Sequence, residues 1–153
     1  MKIAELYDID FAEWARQNAE LLRSGQLAEA DLEHIAEEIE AMAKRERRAL
    51  HNRFVRLIEH LLKWEYQPGR RGASWRLTAT DQRRRILQLL EDNPSFRTTL
   101  STLVAKAYLE ALRDVAIILE RPKTRFPAVC PYTLEQLLDE EFLPERASDG
   151  SAL

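Results

Sequence analysis

Between Asp31 and Tyr66 the chain contains no glycine and no proline, and Ala, Leu, Glu and Arg fill much of the stretch. Such residues lose little side-chain freedom in a helix, so one long helix is the favoured conformation. Leu32, Ile35, Ile39 and Met42, then Leu50, Phe54, Leu57, Leu61 and Trp64, recur along it at helical spacing and define one apolar stripe. The stripe thins between Ala43 and Ala49, where Lys44-Arg45-Glu46-Arg47-Arg48 intervenes. About 35 residues at 1.5 Å each reach roughly 50 Å, longer than a small core needs. Such a rod either bends in its charged stretch or projects one end toward a partner; a single unbroken helix is expected.

The flanking patterns are helical too. Asp10 with Glu13 reads as a helix cap, and Phe11, Trp14, Ala15, Asn18, Leu21 and Leu22 hold a helical period until Gly25. Thr78-Ala79-Thr80-Asp81 reads as the cap of a third helix ending near Asp92. Asn93-Pro94 opens a fourth, with Phe96, Leu100, Leu103, Val104, Ala107, Tyr108, Ala111, Val115 and Ile118 on one face up to Arg121-Pro122. Pro127 and Pro131 then predict an extended strap, and Thr133 with Gln136 is a capping box for one last short helix. No alternating β-branched pattern suggests a strand. The fold class expected is all-α: an antiparallel bundle of four main helices, the second packed on the fourth, plus a short C-terminal helix. A single domain over residues 5–144 and a flexible tail over 145–153 are expected.

Composition narrows the function classes. Cys130 is the only cysteine, so no intramolecular disulfide is possible and a reducing, cytoplasmic setting is expected. No apolar run approaches the roughly 20 residues needed to cross a bilayer, and the acidic N-terminus lacks a signal-peptide pattern. The net charge of −3 conceals an asymmetry. Residues 1–43 carry 3 basic and 11 acidic side chains, a net −8, whereas residues 44–97 carry 14 basic and 6 acidic ones, a net +8. Opposite charges of this size suit pairing within the fold or between copies of it better than a dedicated nucleic-acid domain.

The connector after the long helix is the main candidate interaction surface. It carries Trp64, Tyr66 and Trp75 interleaved with Lys63, Arg70, Arg71 and Arg76; His60 precedes it, and Arg83 and Arg84 follow, within the run Arg83–Arg85. Aromatic rings among cations are what single-stranded nucleic acid is gripped by; the same rings can equally close a hydrophobic core. Arg56, Arg83 and Arg97 lie close to apolar positions and could clamp a carboxylate or phosphate. Metal chemistry has little support: Asp31 precedes His34 by three, but Arg48 and Leu57 hold the matching places before His51 and His60. His34 and Glu38 form one further pair at helical spacing. No nucleophile–base set appears, so no catalytic residue, metal ligand or cofactor site is assigned.

Taken in order, Leu6-Tyr7-Asp8-Ile9-Asp10-Phe11 with Trp14, Leu21-Leu22-Arg23-Ser24-Gly25, Ala36-Glu37-Glu38-Ile39-Glu40-Ala41-Met42 and His60-Leu61-Leu62-Lys63-Trp64-Glu65-Tyr66-Gln67-Pro68 resemble the DUF29 family of bacterial proteins. Ser74-Trp75, Asn93-Pro94-Ser95, Phe126-Pro127 and Cys130-Pro131-Tyr132 extend the resemblance over nearly residues 5–144. It implies a small α-helical protein and supplies no catalytic residues. Ala43 stands where a glycine is expected in relatives, which favours an uninterrupted second helix. The leading expectation is an interaction or adaptor protein that self-associates or binds a protein partner, without a membrane. The alternative is a nucleic-acid-binding or regulatory module using residues 63–76 and Arg83–Arg85. A metal-binding or enzymatic bundle ranks third.

Overall fold

The long Gly- and Pro-free stretch is one helix. The computed structural model of the protein describes residues 1–145, and the elements among them are α1 (Ile3–Ile9), α2 (Phe11–Arg23), α3 (Leu32–Tyr66), α4 (Ala73–Asp92), α5 (Leu100–Ile118) and α6 (Leu134–Leu138), with short 3-10 turns between some of them. No strand occurs among the described residues, and the fold is all-α. α3 runs 35 residues without a break through Lys44–Arg48. Most of the tail expected over 145–153 lies outside the described residues.

The chain forms two compact units, Met1–Glu46 and the part from Arg47 onward, with α3 contributing to each. In the first unit α1 packs on α2. Asp10 separates them and caps α2, its Oδ1 accepting from the Glu13 amide at 3.1 Å. α2 stops at Gly25, whose φ of 76° is left-handed. Gln26 N donates to Leu21 O and Gly25 N to Leu22 O, the paired bonds that close a Schellman turn. Only Trp14 and Asn18 are buried on α2.

The second unit holds the core. Leu50, Phe54, Leu57, Ile58 and Leu61 of α3 meet Ile86 and Leu90 of α4 and Leu100, Val104, Ala107, Ala111 and Val115 of α5. Each large apolar side chain so buried contributes roughly 1.5–3 kcal/mol. His51 Nε2 lies 2.6 Å from Glu110 Oε2, and Glu59 hydrogen-bonds Asp114, so α3 pairs with α5 at two levels and the two run in the same direction. α4 reverses between them, as short connections require. The strap after α5 turns once at Lys123–Arg125 and is fixed by two rings. Tyr108 donates to the Pro127 carbonyl at 2.5 Å, and buried Tyr132 donates to Glu65 at 3.0 Å.

α5 ends with the same pair of bonds as α2, Glu120 N to Ile117 O and Arg121 N to Ala116 O, but the left-handed position (φ 52°) is Glu120 rather than glycine. A Cβ in that conformation is strained by roughly 1 kcal/mol. Glu120→Gly is therefore expected to stabilise the protein by about 0.5 kcal/mol once the greater freedom of glycine in the unfolded chain is subtracted. Chemical denaturation measures it, and a loss of stability would show that the Glu120 side chain contributes more than its strain.

Candidate interaction surface

The aromatic–basic connector folds back onto the second unit. Trp64 is only 8 % exposed. The Arg71 and Arg76 guanidinium carbons lie 5.1 and 5.7 Å from its ring centroid, and Arg71 Nε donates to the Trp64 carbonyl at 2.7 Å. Tyr66 packs against the core, its ring 4.8 Å from that of Phe126. Trp75 is half-buried on the first turn of α4, while Arg70 and Arg84 are exposed. His60 is partly covered, donates from Nδ1 to the Arg56 carbonyl at 2.9 Å, and titrates below its ordinary value because burial disfavours the imidazolium. Lys63, half-buried, lies near enough to Glu59 and His60 to act on the charge of both.

Arg83 is not a surface cation. It is 1 % exposed, and its guanidinium donates to the carbonyls of Leu137 (2.9 Å), Phe142 (2.7 Å) and Gln136 (3.2 Å). The carboxylate or phosphate clamp imagined for Arg83 is thus a clamp on the chain's own backbone. Ala79, Arg83, Ile86 and Leu90 recur at helical spacing, all buried. That period is the sequence signal for an inward Arg83, masked by its place in the run Arg83-Arg84-Arg85.

The first unit carries a different arrangement. Asp31 accepts from the Trp14 indole at 2.9 Å and lies 2.6 Å from His34 Nδ1, while its backbone amide donates to Asn18 at 2.8 Å. Burial opposes ionisation of Asp31, but the Trp14 and His34 hydrogen bonds outweigh it and hold the carboxyl below its usual range. The same bond to Asp31 raises His34. Tyr7 stacks on His34 with ring centroids 4.0 Å apart and donates to Glu38, which lifts its phenol to about 12. The Asp31–His34 spacing, weighed in the sequence as an incomplete metal pattern, is a helix-cap carboxylate orienting an imidazole. Among the described residues no group of three or more His, Cys, Asp or Glu side chains is placed to hold a metal ion.

Against this anchored side stands an uncovered one. Leu32, Ile39 and Met42 of α3 are 50, 61 and 57 % exposed, whereas Leu50, Phe54, Leu57 and Leu61, farther along the same stripe, are fully buried. At about 100° per residue these positions share one face. The apolar stripe of α3 is therefore open in the first unit at Leu32, Ile39 and Met42, with Ile35 half-buried between them. Exposed Glu33, Glu37 and Glu40 occupy the opposite face of the helix. Leu32, Ile39 and Met42 are absent from the sequence-derived surface, because periodicity marks an apolar face without telling what meets it.

The family model described as "Domain of unknown function DUF29" matches residues 6–143. No curated protein and no solved structure matches the chain. No helix among the described residues is long and apolar enough to cross a membrane.

Proposed function

The chain belongs to the DUF29 family, and since that family's description assigns no activity, we propose from the geometry that it is an interaction protein that self-associates through the first half of α3. The observation that carries this reading is the contrast within one stripe: buried from Leu50 onward, half or more exposed at Leu32, Ile39 and Met42. An apolar helix face left in water forfeits about 25 cal/mol per Å², and a partner recovers it. The acidic first third of the sequence and its basic middle, −8 against +8, make a second copy an apt partner. A bacterial source is what the family resemblance implies, and a cytoplasmic setting suits a chain with one cysteine. The connector offers less to a nucleic acid, because the Trp64 face that would stack a base is taken by Arg71 and Arg76.

Sedimentation velocity at micromolar concentration tests the reading. The wild-type chain is expected to sediment as an oligomer, and Ile39→Lys with Met42→Lys as a monomer of unchanged helicity. A monomeric wild type, or a double variant that still assembles, would sink it.

A further inference from the structure

The stripe alone is too small for a stable assembly. Three half-exposed apolar side chains on each of two copies yield roughly 1 kcal/mol apiece on burial. Association forfeits about 4–15 kcal/mol of translational and rotational freedom. A micromolar complex needs about −8 kcal/mol net. Something besides the stripe must contribute, and the second unit contains a surface shaped for it.

A groove of about 450 Å³ lies between α3 and the start of α5, walled by Arg47, Arg48, Thr99, Thr102, Leu103 and Lys106. His51 also lines it, hydrogen-bonded to Glu110. Arg47 rests its guanidinium 5.3 Å from the Phe96 ring centroid, a contact that orients the charge without neutralising it. Arg48 and Lys106 are exposed and have no carboxylate within ion-pair distance among the described residues. The groove thus presents three uncompensated cations, two hydroxyl-bearing side chains and one leucine. Its complement is an acidic, amphipathic helix. The first half of α3 is one: Glu33, Glu37 and Glu40, exposed and likewise without an ion-pair partner among the described residues, share the face turned away from Ile39 and Met42.

We infer that the groove is the docking site for the acidic first half of α3 from a second copy of the chain. The inference rests on the proposed self-association and adds to the stripe a second contact, the acidic face of α3 against the groove. Because the acidic face and the groove are different patches, the contact forms twice when two copies exchange it reciprocally and otherwise propagates head to tail. Charge pairing of this kind also steers encounter, so assembly should weaken as salt rises from about 0.1 to about 1 M.

Charge exchange tests it. Glu37→Lys with Glu40→Lys, and separately Arg48→Glu with Lys106→Glu, should each weaken self-association by on the order of 10- to 100-fold while leaving helicity unchanged. An equimolar mixture of the two variants should associate again, since one contact in the mixture is native and the other has both signs reversed. A mixture that stays monomeric, or either variant assembling like the wild type, overturns the groove assignment. In that event the Ile39→Lys and Met42→Lys result still decides the stripe independently. Titration of a single-stranded oligonucleotide closes the remaining route: if Arg48→Glu with Lys106→Glu abolishes oligonucleotide binding yet assembles normally, the groove serves nucleic acid and the inference fails.

Discussion

Arg83→Met is expected to lower the unfolding free energy by about 3 kcal/mol. α6 is five residues long, and a helix that short is not stable by itself. Its first turn is held by a reciprocal cap: Thr133 Oγ1 accepts from Gln136 N at 3.1 Å, and the Gln136 side chain accepts from Thr133 N at 3.0 Å. Its end is held by Arg83, which donates to the carbonyls of Leu137 and, beyond it, Phe142, and shares that of Gln136 with the Asp139 amide. Burial lowers the Arg83 pKa, opposed by nearby Asp139 and Glu140, so removing the charge relieves some desolvation. Three charge-assisted bonds outweigh that relief, and each carbonyl left buried without a donor costs about 1–3 kcal/mol. Arg83→Lys, a point charge without the fork, should reach one carbonyl and lose about half as much. Amide exchange should accelerate at Leu137, packed at zero exposure, before the rest of the unit responds. A methionine variant within about 0.5 kcal/mol of wild type, with no local acceleration, would show that hydrophobic packing rather than the guanidinium fixes α6.

Much of the architecture could be read from the chain, and the reasons some could not are local. α3 was legible because nothing in Asp31–Tyr66 opposes a helix, and the caps at Asp10 and Thr133 form as expected. α1 was not anticipated. It is seven residues long with no buried side chain, too short to show a period. α4 starts at Ala73 rather than at Thr78, because the Thr78 hydroxyl, read as a cap, donates instead to the Ser74 carbonyl one turn back at 3.0 Å. Pro94 opens not α5 itself but the 3-10 turn Pro94–Thr99, and α5 begins at Leu100.

The connector shows the same limit at the level of function. Trp64, Arg71 and Arg76 are brought together, while Arg83 is turned inward to the α6 carbonyls. Composition alone makes these residues one basic patch; their separation is a tertiary effect. The stripe has the converse problem. Leu32 to Trp64 reads as one continuous face, and only packing shows that its second half is covered while Leu32, Ile39 and Met42 are open. Secondary structure follows from spacing, whereas exposure follows from what the rest of the chain places opposite. The candidate surface belongs to the second category.

The second unit should also lose stability as pH rises from about 5 to 8, through Glu59. Burial, then the hydrogen bond to Asp114 on α5, raises the Glu59 carboxyl from 4.5 to about 7, against the pull of Lys63 and Arg56. Between those values the folded state holds a proton that the unfolded chain releases. The associated stability is fully present below about 4.5 and lost as pH rises through about 7. A shift of that size corresponds to at most about 3 kcal/mol; Glu59 is only half-buried, and solvent screening reduces this to about 1–2 kcal/mol. His60, lowered by burial, works in the opposite direction, losing stability as pH falls below its ordinary 6.5, so the wild-type slope alone is ambiguous. The difference between wild type and Glu59→Gln removes the His60 contribution, because the amide can still donate to Asp114 but does not titrate. Urea unfolding at pH 5 and pH 8 should find the variant close to wild type at the lower pH and about 1–2 kcal/mol more stable at the higher. If the difference is the same at both, Glu59 does not hold a proton against Asp114 and the raised carboxyl is refuted.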